Sequence, residues 1–193
     1  GDEELLPFLQ KLESKFSVDW ILQLTPTVRL SNTYTILRKI EQATSPNELL
    51  SDNAIFEYDR DQLKERLSGE IFGKNFCKYV LLKLECLLRS SVQEFPTFAR
   101  CSVEHVLPQT PNNDSQWRKE FTDDDRENWT HRLANLVLIT RNKNSSLGNR
   151  EFSKKKERYF ATSIDVFPNV AKVMQCDDWT PERLKLRQTE LLD

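Results

Sequence analysis

Glu104 and His105 stand side by side at the end of a short apolar run, and Asn135 and Asn144 follow further along, nine residues apart. An imidazole ionises near neutral pH, so His105 is a suitable base for activating water. The carboxylate of Glu104 and the amide oxygen of Asn144 are hard oxygen ligands of the kind that Mg²⁺ prefers. Together these groups favour phosphodiester hydrolysis, in which a metal ion stabilises charge on the phosphate and a base activates water.

The adjacency of Glu104 and His105 limits how the two side chains can share a site. Successive side chains of a regular strand point to opposite faces, so neighbours cannot both enter one site from it. We expect the strand end before Pro108 to relax this constraint, because the backbone can twist there. The carboxylate would then meet the metal while the imidazole meets the substrate.

Charge is distributed unevenly although the net charge is only -2. Residues 141–158 carry seven basic side chains against two acidic ones, and the preceding segment, residues 114–127, is acidic. A basic segment beside a hydrolytic site is suited to holding the flanking phosphates of a nucleic acid. The candidate phosphate contacts in it are Arg141, Lys143, Lys155 and Lys156. The alternative for the three consecutive lysines, residues 154–156, is that they form a solvent-exposed face of a helix.

Composition excludes several classes of protein. With 38% hydrophobic residues in 193, the chain can build a sizeable core. No run approaches the ~20 apolar residues of a membrane span, and the N-terminus lacks the features of a signal peptide. We therefore expect a cytoplasmic protein with no membrane partner. The four cysteines form no CxxC pair, which predicts free thiols, and Gly1 in place of Met suggests a fragment of a longer protein.

Hydrophobic periodicity predicts an α+β chain that is mostly α. Residues 1–100 read as a helical scaffold, with a capping box at Ser45 and a strongly apolar helix over 74–91. Residues 101–161 read as strand, loop, strand and helix, with the strands at 102–107 and 136–140 and the helix at 150–161. Residues 162–193 are expected to pack back on the body and to end in a helix that begins at Thr180.

The motif from Glu104 to Gln109, EHVLPQ, with Asn135 and the RNKN segment that ends at Asn144, resembles the HNH or His-Me finger nuclease motif. It is most similar to the C-terminal nuclease domain of GmrSD-type modification-dependent restriction enzymes and related phage-defence proteins. His131, Asn149 and the FSKK segment from Phe152 match the same pattern. The nuclease motif covers about residues 101–160, and the flanking segments resemble that domain less specifically.

The resemblance implies a ββα-metal (HNH) nuclease module embedded in a helical domain. In it His105 is the general base, Glu104 and Asn144 bind Mg²⁺ or Mn²⁺, and Asn135 braces the loop that orients His105. The substrate would be DNA, cut to leave a 5′-phosphate and a 3′-hydroxyl. The domain would be the effector of a restriction or phage-defence protein, with a sensing or NTPase domain in the same protein or a partner chain.

Several alternatives stay open at the level of sequence. His131 either packs under the site or contacts the DNA backbone, and Asn149 is either a helix N-cap or a substrate contact. An RNA-directed nuclease would share every motif. A catalytically silent nucleic-acid-binding module would keep the basic helix without cleavage, and a protein-interaction scaffold built on residues 1–100 would bind neither nucleic acid nor metal.

Overall fold

The computed structural model describes residues 2–88, 101–140, 147–161 and 167–193. The chain divides into two compact units, residues 1–66 and residues 67–193. The expected division at 100/101 and 161/162 stays a prediction, since residues 89–100 and 162–166 lie outside the described part. Within the described ranges, no helix has the length and apolar character needed to cross a membrane.

The described helices follow one another in this order: α1 (Asp2–Ile21), α2 (Pro26–Gln42), α3 (Pro46–Ser51), α4 (Arg60–Ser68), α5 (Cys77–Leu87), α6 (Gln116–Glu120), α7 (Asp123–Trp129), α8 (Phe152–Ala161), α9 (Pro168–Gln175) and α10 (Pro181–Leu192). The strands are β1 (Cys101–His105) and β2 (Leu136–Thr140). The α+β, mostly α fold class is confirmed. The ββα-metal module as a class stays a prediction.

The first unit is helical, as its periodicity predicts. Its buried core consists of Ile36, Ile55 and Phe56, against which partly buried side chains of α1 and α3 pack. The predicted cap at Ser45 is present, since Ser45 Oγ accepts from Glu48 N at 3.3 Å. The Glu48 carboxylate accepts from the backbone N of Thr44 at 2.9 Å. The expected capping box therefore forms with residue 44 as the backbone donor, one position before the cap residue Ser45.

The second unit is built around a two-stranded antiparallel sheet. β1 and β2 pair with Cys101 opposite Thr140 and His105 opposite Leu136. The side chains from Leu136 to Ile139 are all fully buried, because α5 and α9 both pack against β2. A two-stranded sheet is not stable by itself in water, and this cover by helices supplies the missing apolar burial.

An aromatic cluster joins the helices that surround the sheet. The rings of Trp117 and Phe152 lie 6.3 Å apart, and those of Phe152 and Trp179 lie 5.7 Å apart. Trp117 Nε1 donates to Arg150 O at 3.0 Å, so this buried indole keeps a partner for its polar end. These ring contacts pack α6 against the first residue of α8.

Element boundaries differ from the sequence predictions where a local interaction ends an element. β1 ends at His105 rather than at 107, because Val106 N and Leu107 N bond to Asn135 instead of continuing the ladder. The loop after β1 holds two short helices rather than one, and the second begins at a capping box formed by Thr122 and Asp125. The predicted β2 and the final helix are confirmed.

Candidate active site

The end of β1 directs Glu104 and His105 to different partners. The Glu104 carboxylate meets Lys155 on α8, whereas the His105 ring meets His131 and Phe72. This arrangement agrees with the alternation of side chains along a strand. The two groups are therefore neighbours in sequence but have separate surroundings, and the expected twist of both into one shared pocket is not seen.

Glu104 and Lys155 form a buried ion pair. Lys155 Nζ lies 2.7 Å from Glu104 Oε1 and also donates to the backbone oxygen of His105 at 2.7 Å. Burial raises the pKa of Glu104, and the Lys155 charge opposes that rise. Burial likewise lowers the pKa of Lys155 against the attraction of Glu104. Lys155 has no exposed surface, so its predicted contact with a substrate phosphate is not supported by this structure.

His105 is buried and hydrogen-bonded at both ring nitrogens. Its Nε2 lies 3.3 Å from His131 Nδ1, and its Nδ1 lies 3.4 Å from Gln109 Nε2. Burial, then the nearby His131 and Lys155, lower the pKa of His105 to about 4. The imidazole is therefore neutral at pH 7, which is the protonation state that a general base requires.

Phe72 lines this site, although it was not among the candidate residues predicted from the sequence. Its ring meets His105 edge-on at 4.3 Å and stacks on His131 at 5.3 Å with the planes 12° apart. The backbone N–H groups of Ile71 and Phe72 both donate to His131 O, at 3.0 and 3.1 Å. A short apolar pair between two predicted helices was the available signal, but its partner lies some sixty residues away along the chain.

Asn135 holds the loop that follows His105. It is fully buried, and its Oδ1 accepts from Leu107 N at 2.7 Å and from Trp179 Nε1 at 3.3 Å. Its Nδ2 donates to Leu107 O at 2.9 Å and to Thr130 O at 3.0 Å. The amide group thus uses both donors and both lone pairs on protein atoms. We therefore regard Asn135 as a positioning residue rather than as a group that touches the substrate.

The C-terminal helix fastens the turn that carries Asn135. Gln188 Oε1 accepts from Ala134 N at 2.8 Å, and the Arg187 guanidinium donates to Ala134 O and to Asn169 Oδ1. Burial lowers the pKa of Arg187 to about 10, still well above neutrality. The Arg187 guanidinium therefore stays charged at neutral pH. Its N–H groups donate to backbone oxygens that would otherwise be buried without a partner.

The other predicted contacts lie in varied surroundings. Asn149 is exposed and donates to Thr110 Oγ1 at 3.3 Å, and it is not the N-cap of α8, which begins at Phe152. Lys156 is partly buried and donates to Cys176 O. Arg141, Lys143 and Asn144 lie outside the described residues. An open polar cleft of about 400 Å³ adjoins Asn149, lined by Asn112, Leu147, Gly148, Asn149, Arg150, Glu151 and Lys154.

The donor chemistry at Glu104 fits a divalent cation as one ligand among several. Among the described residues, no three His, Cys, Asp or Glu side chains are grouped as a metal site. The Lys155 ammonium bonds to Oε1 of Glu104, and no hydrogen bond within those ranges engages Oε2. Mg²⁺ is commonly held by one or two carboxylates together with substrate phosphate and water. A second protein ligand, Asn144, would come from outside the described part.

Comparison with known proteins identifies a family for most of the chain. The family model described as "GmrSD restriction endonucleases, C-terminal domain" matches residues 57–193. No curated protein and no solved structure matches the chain. The matched range contains Glu104, His105, His131 and Asn135, together with the C-terminal helix that holds the Asn135 turn.

Proposed function

Since the chain belongs to the family of GmrSD restriction endonuclease C-terminal domains, we propose that it is a divalent-metal-dependent DNA endonuclease of the HNH type. It acts as the cutting domain of a larger restriction or phage-defence protein, with a sensing or NTPase domain in the same protein or in a partner chain. The observation that carries the proposal is the neutral, buried His105 at the end of β1. One of its nitrogens faces His131, and the other faces the exposed side chain of Gln109.

His105 acts as the general base through Nδ1. Gln109 is exposed and its contact with Nδ1 is long, so a water molecule can take its place. Nδ1 removes a proton as the water oxygen bonds to phosphorus and the bond to the 3′ oxygen breaks. The products are a 5′-phosphate and a 3′-hydroxyl, the leaving oxygen taking up a proton from solvent. The lowered pKa of His105 keeps its imidazole neutral at neutral pH, so that one ring nitrogen has a lone pair available to accept a proton.

Glu104 and Asn144 are the proposed ligands for Mg²⁺ or Mn²⁺. A divalent cation bound there would neutralise the negative charge that develops on the phosphate. Lys155 holds both the Glu104 carboxylate and the His105 carbonyl at 2.7 Å. The ammonium therefore fixes the ligand side chain and the backbone of the base relative to one another, which is the preorganisation that such a site needs.

Flanking phosphates are bound beside this centre. We assign this role to Arg141 and Lys143, to Lys156, and to the cleft that Asn149 and Arg150 line. Such contacts orient the backbone without reading the base sequence. They compensate for an overall charge of -2, which by itself would repel DNA.

The test is cleavage of supercoiled plasmid with Mg²⁺, with Mn²⁺ and with chelator, with an RNA of matched length in parallel. We expect metal-dependent nicking or linearisation of DNA that His105→Ala abolishes and Lys185→Ala, an exposed change on α10, leaves intact. Preference for the RNA would reassign the substrate. Binding of DNA by the folded chain without cleavage under any of these metals would contradict the proposal and point to a silent binding module.

A further inference from the structure

The hydrogen-bond partners at the two ring nitrogens of His105 indicate which nitrogen holds the proton. A neutral imidazole has one N–H donor and one acceptor nitrogen. Gln109 presents its Nε2 amide to His105 Nδ1 at 3.4 Å, and an amide nitrogen can only donate. Nδ1 must therefore present its lone pair. This leaves Nε2 as the nitrogen to carry the proton, and Nε2 lies 3.3 Å from His131 Nδ1, within reach to donate to it.

His131 is itself held firmly enough to act as a fixed acceptor. Its backbone oxygen takes two hydrogen bonds, from Ile71 N and Phe72 N. The Phe72 ring lies flat against its imidazole, with 12° between the planes. The two imidazoles meet at 81°, so the edge of one ring faces the other. These restraints hold Nδ1 of His131 next to Nε2 of His105 before any substrate is present.

We propose that His131 is a positioning residue that keeps the proton of His105 on Nε2 and so reserves Nδ1 as the base. This inference rests on the proposed nuclease function of His105, and of the two alternatives for His131 it takes packing under the site rather than contact with DNA. Without an acceptor at this place, the buried Nε2–H would lose its partner. The competing tautomer, which carries its proton on Nδ1, could not accept a proton from water there.

Two substitutions separate the acceptor from the ring. His131→Asn keeps an acceptor oxygen bonded to Cγ, where Nδ1 is bonded in histidine, but removes the ring. His131→Phe keeps a flat ring against Phe72 and removes the acceptor. We expect His131→Asn to retain most of the activity. We expect His131→Phe to lower kcat by about 10- to 100-fold with KM unchanged, as is usual when an outer partner of a reacting group is lost.

The tautomer can be observed without any reaction. The chain has two histidines, so in His131→Phe the imidazole ¹⁵N signals come from His105 alone. We expect ¹⁵N-edited NMR at neutral pH to show the Nε2–H form of His105 in the wild-type chain. In His131→Phe a substantial share of the Nδ1–H form should appear, while in His131→Asn the Nε2–H form should dominate.

The outcomes distinguish this inference from the proposed function. A wild-type His105 in the Nδ1–H form overturns the inference whatever the activity. Equal losses of kcat in folded His131→Asn and His131→Phe chains also overturn it, since the ring and not the acceptor would then matter. A wild-type chain that shows the Nε2–H form and cleaves nothing counts against the nuclease proposal and leaves the histidine pairing supported.

Discussion

The ammonium of Lys155 lies 2.7 Å from the carboxylate of Glu104, and the two side chains are 0% and 6% exposed. Fifty-one positions separate the residues along the chain, so this one pair connects β1 to α8. Each charge makes the other tolerable in an interior where neither would remain ionised alone. The energetics of the pair are the first point to test.

Removing Lys155 should destabilise the fold far more than removing its neighbour. Lys155→Ala leaves the Glu104 carboxylate buried without a partner, and we expect a loss of about 3 to 5 kcal/mol in the free energy of unfolding. The matched change Lys154→Ala removes an exposed lysine that pairs with Glu157, and should alter stability by less than about 1 kcal/mol. Urea denaturation of both variants measures the difference. Equal effects would show that the buried pair contributes nothing special.

Replacing Asn135 should weaken the fold and misplace the loop after His105. Asn135→Ala leaves both backbone groups of Leu107 and the Trp179 indole N–H short of a buried partner. We expect a cost of more than about 2 kcal/mol, since each unpaired buried group costs roughly 1 to 3 kcal/mol. Thermal unfolding measures it, with the exposed Asn149→Ala as control. A stable Asn135→Ala chain with full cleavage would deny the bracing role.

Phe72 should matter for activity more than for stability. Phe72→Leu keeps an apolar side chain but removes the ring that meets both histidines, at a cost of about 1 kcal/mol for the lost aromatic contacts. We expect a decrease in kcat, because His131 and His105 then gain freedom to tilt. Plasmid cleavage rates and denaturation curves on the same samples separate the two effects. A decrease in rate that merely follows unfolding would refute this expectation.

Stability should depend on pH through His105. Its pKa is lowered to about 4 in the folded chain, by burial first and then by His131 and Lys155. Between about pH 4 and pH 6.5, His105 is protonated in the unfolded chain but stays neutral in the folded chain. The stabilisation of the folded chain by His105 is therefore fully present above about pH 6.5. It is lost as the pH falls through about 4, which lowers the free energy of unfolding by up to roughly 3 kcal/mol.

The matching measurement is denaturation of wild type and His105→Gln between pH 4 and 7. The variant lacks the titrating group, so its stability should fall less steeply across this window than that of the wild type. Parallel curves for the two chains would show that His105 is protonated as easily when folded as when unfolded.

Sequence predicts well those features that depend on near neighbours. The bounds of β2 follow from a run of β-branched and apolar residues, and the starts of α3 and α10 follow from a polar cap before a proline. Glu104, His105 and Asn135, which the sequence singled out together, all lie around the end of β1, and their roles in a reaction stay a prediction. These signals need no knowledge of the fold.

The sequence does not specify which residues, far apart along the chain, contact one another in the fold. Lys154, Lys155 and Lys156 look alike in sequence, yet one is exposed, one fully buried and one partly buried. The buried one shares the inward face of α8 with Phe152 and Tyr159, at helical spacing of three and four residues. That spacing was a usable signal for burial, but it does not identify Glu104 as the partner. Phe72 belongs to a short apolar pair, but that pair does not identify His105 and His131 as its partners.

The attachment of α10 to the Asn135 turn gives the chain an order of assembly. Trp179, Arg187 and Gln188 secure the turn, and the turn secures the loop after His105. All three leave the ribosome after every described part of the site has been made. A nascent chain that ends before them has His105 without its restrained loop. The restrained arrangement around His105 is therefore complete only after residues 179–188 have been synthesised.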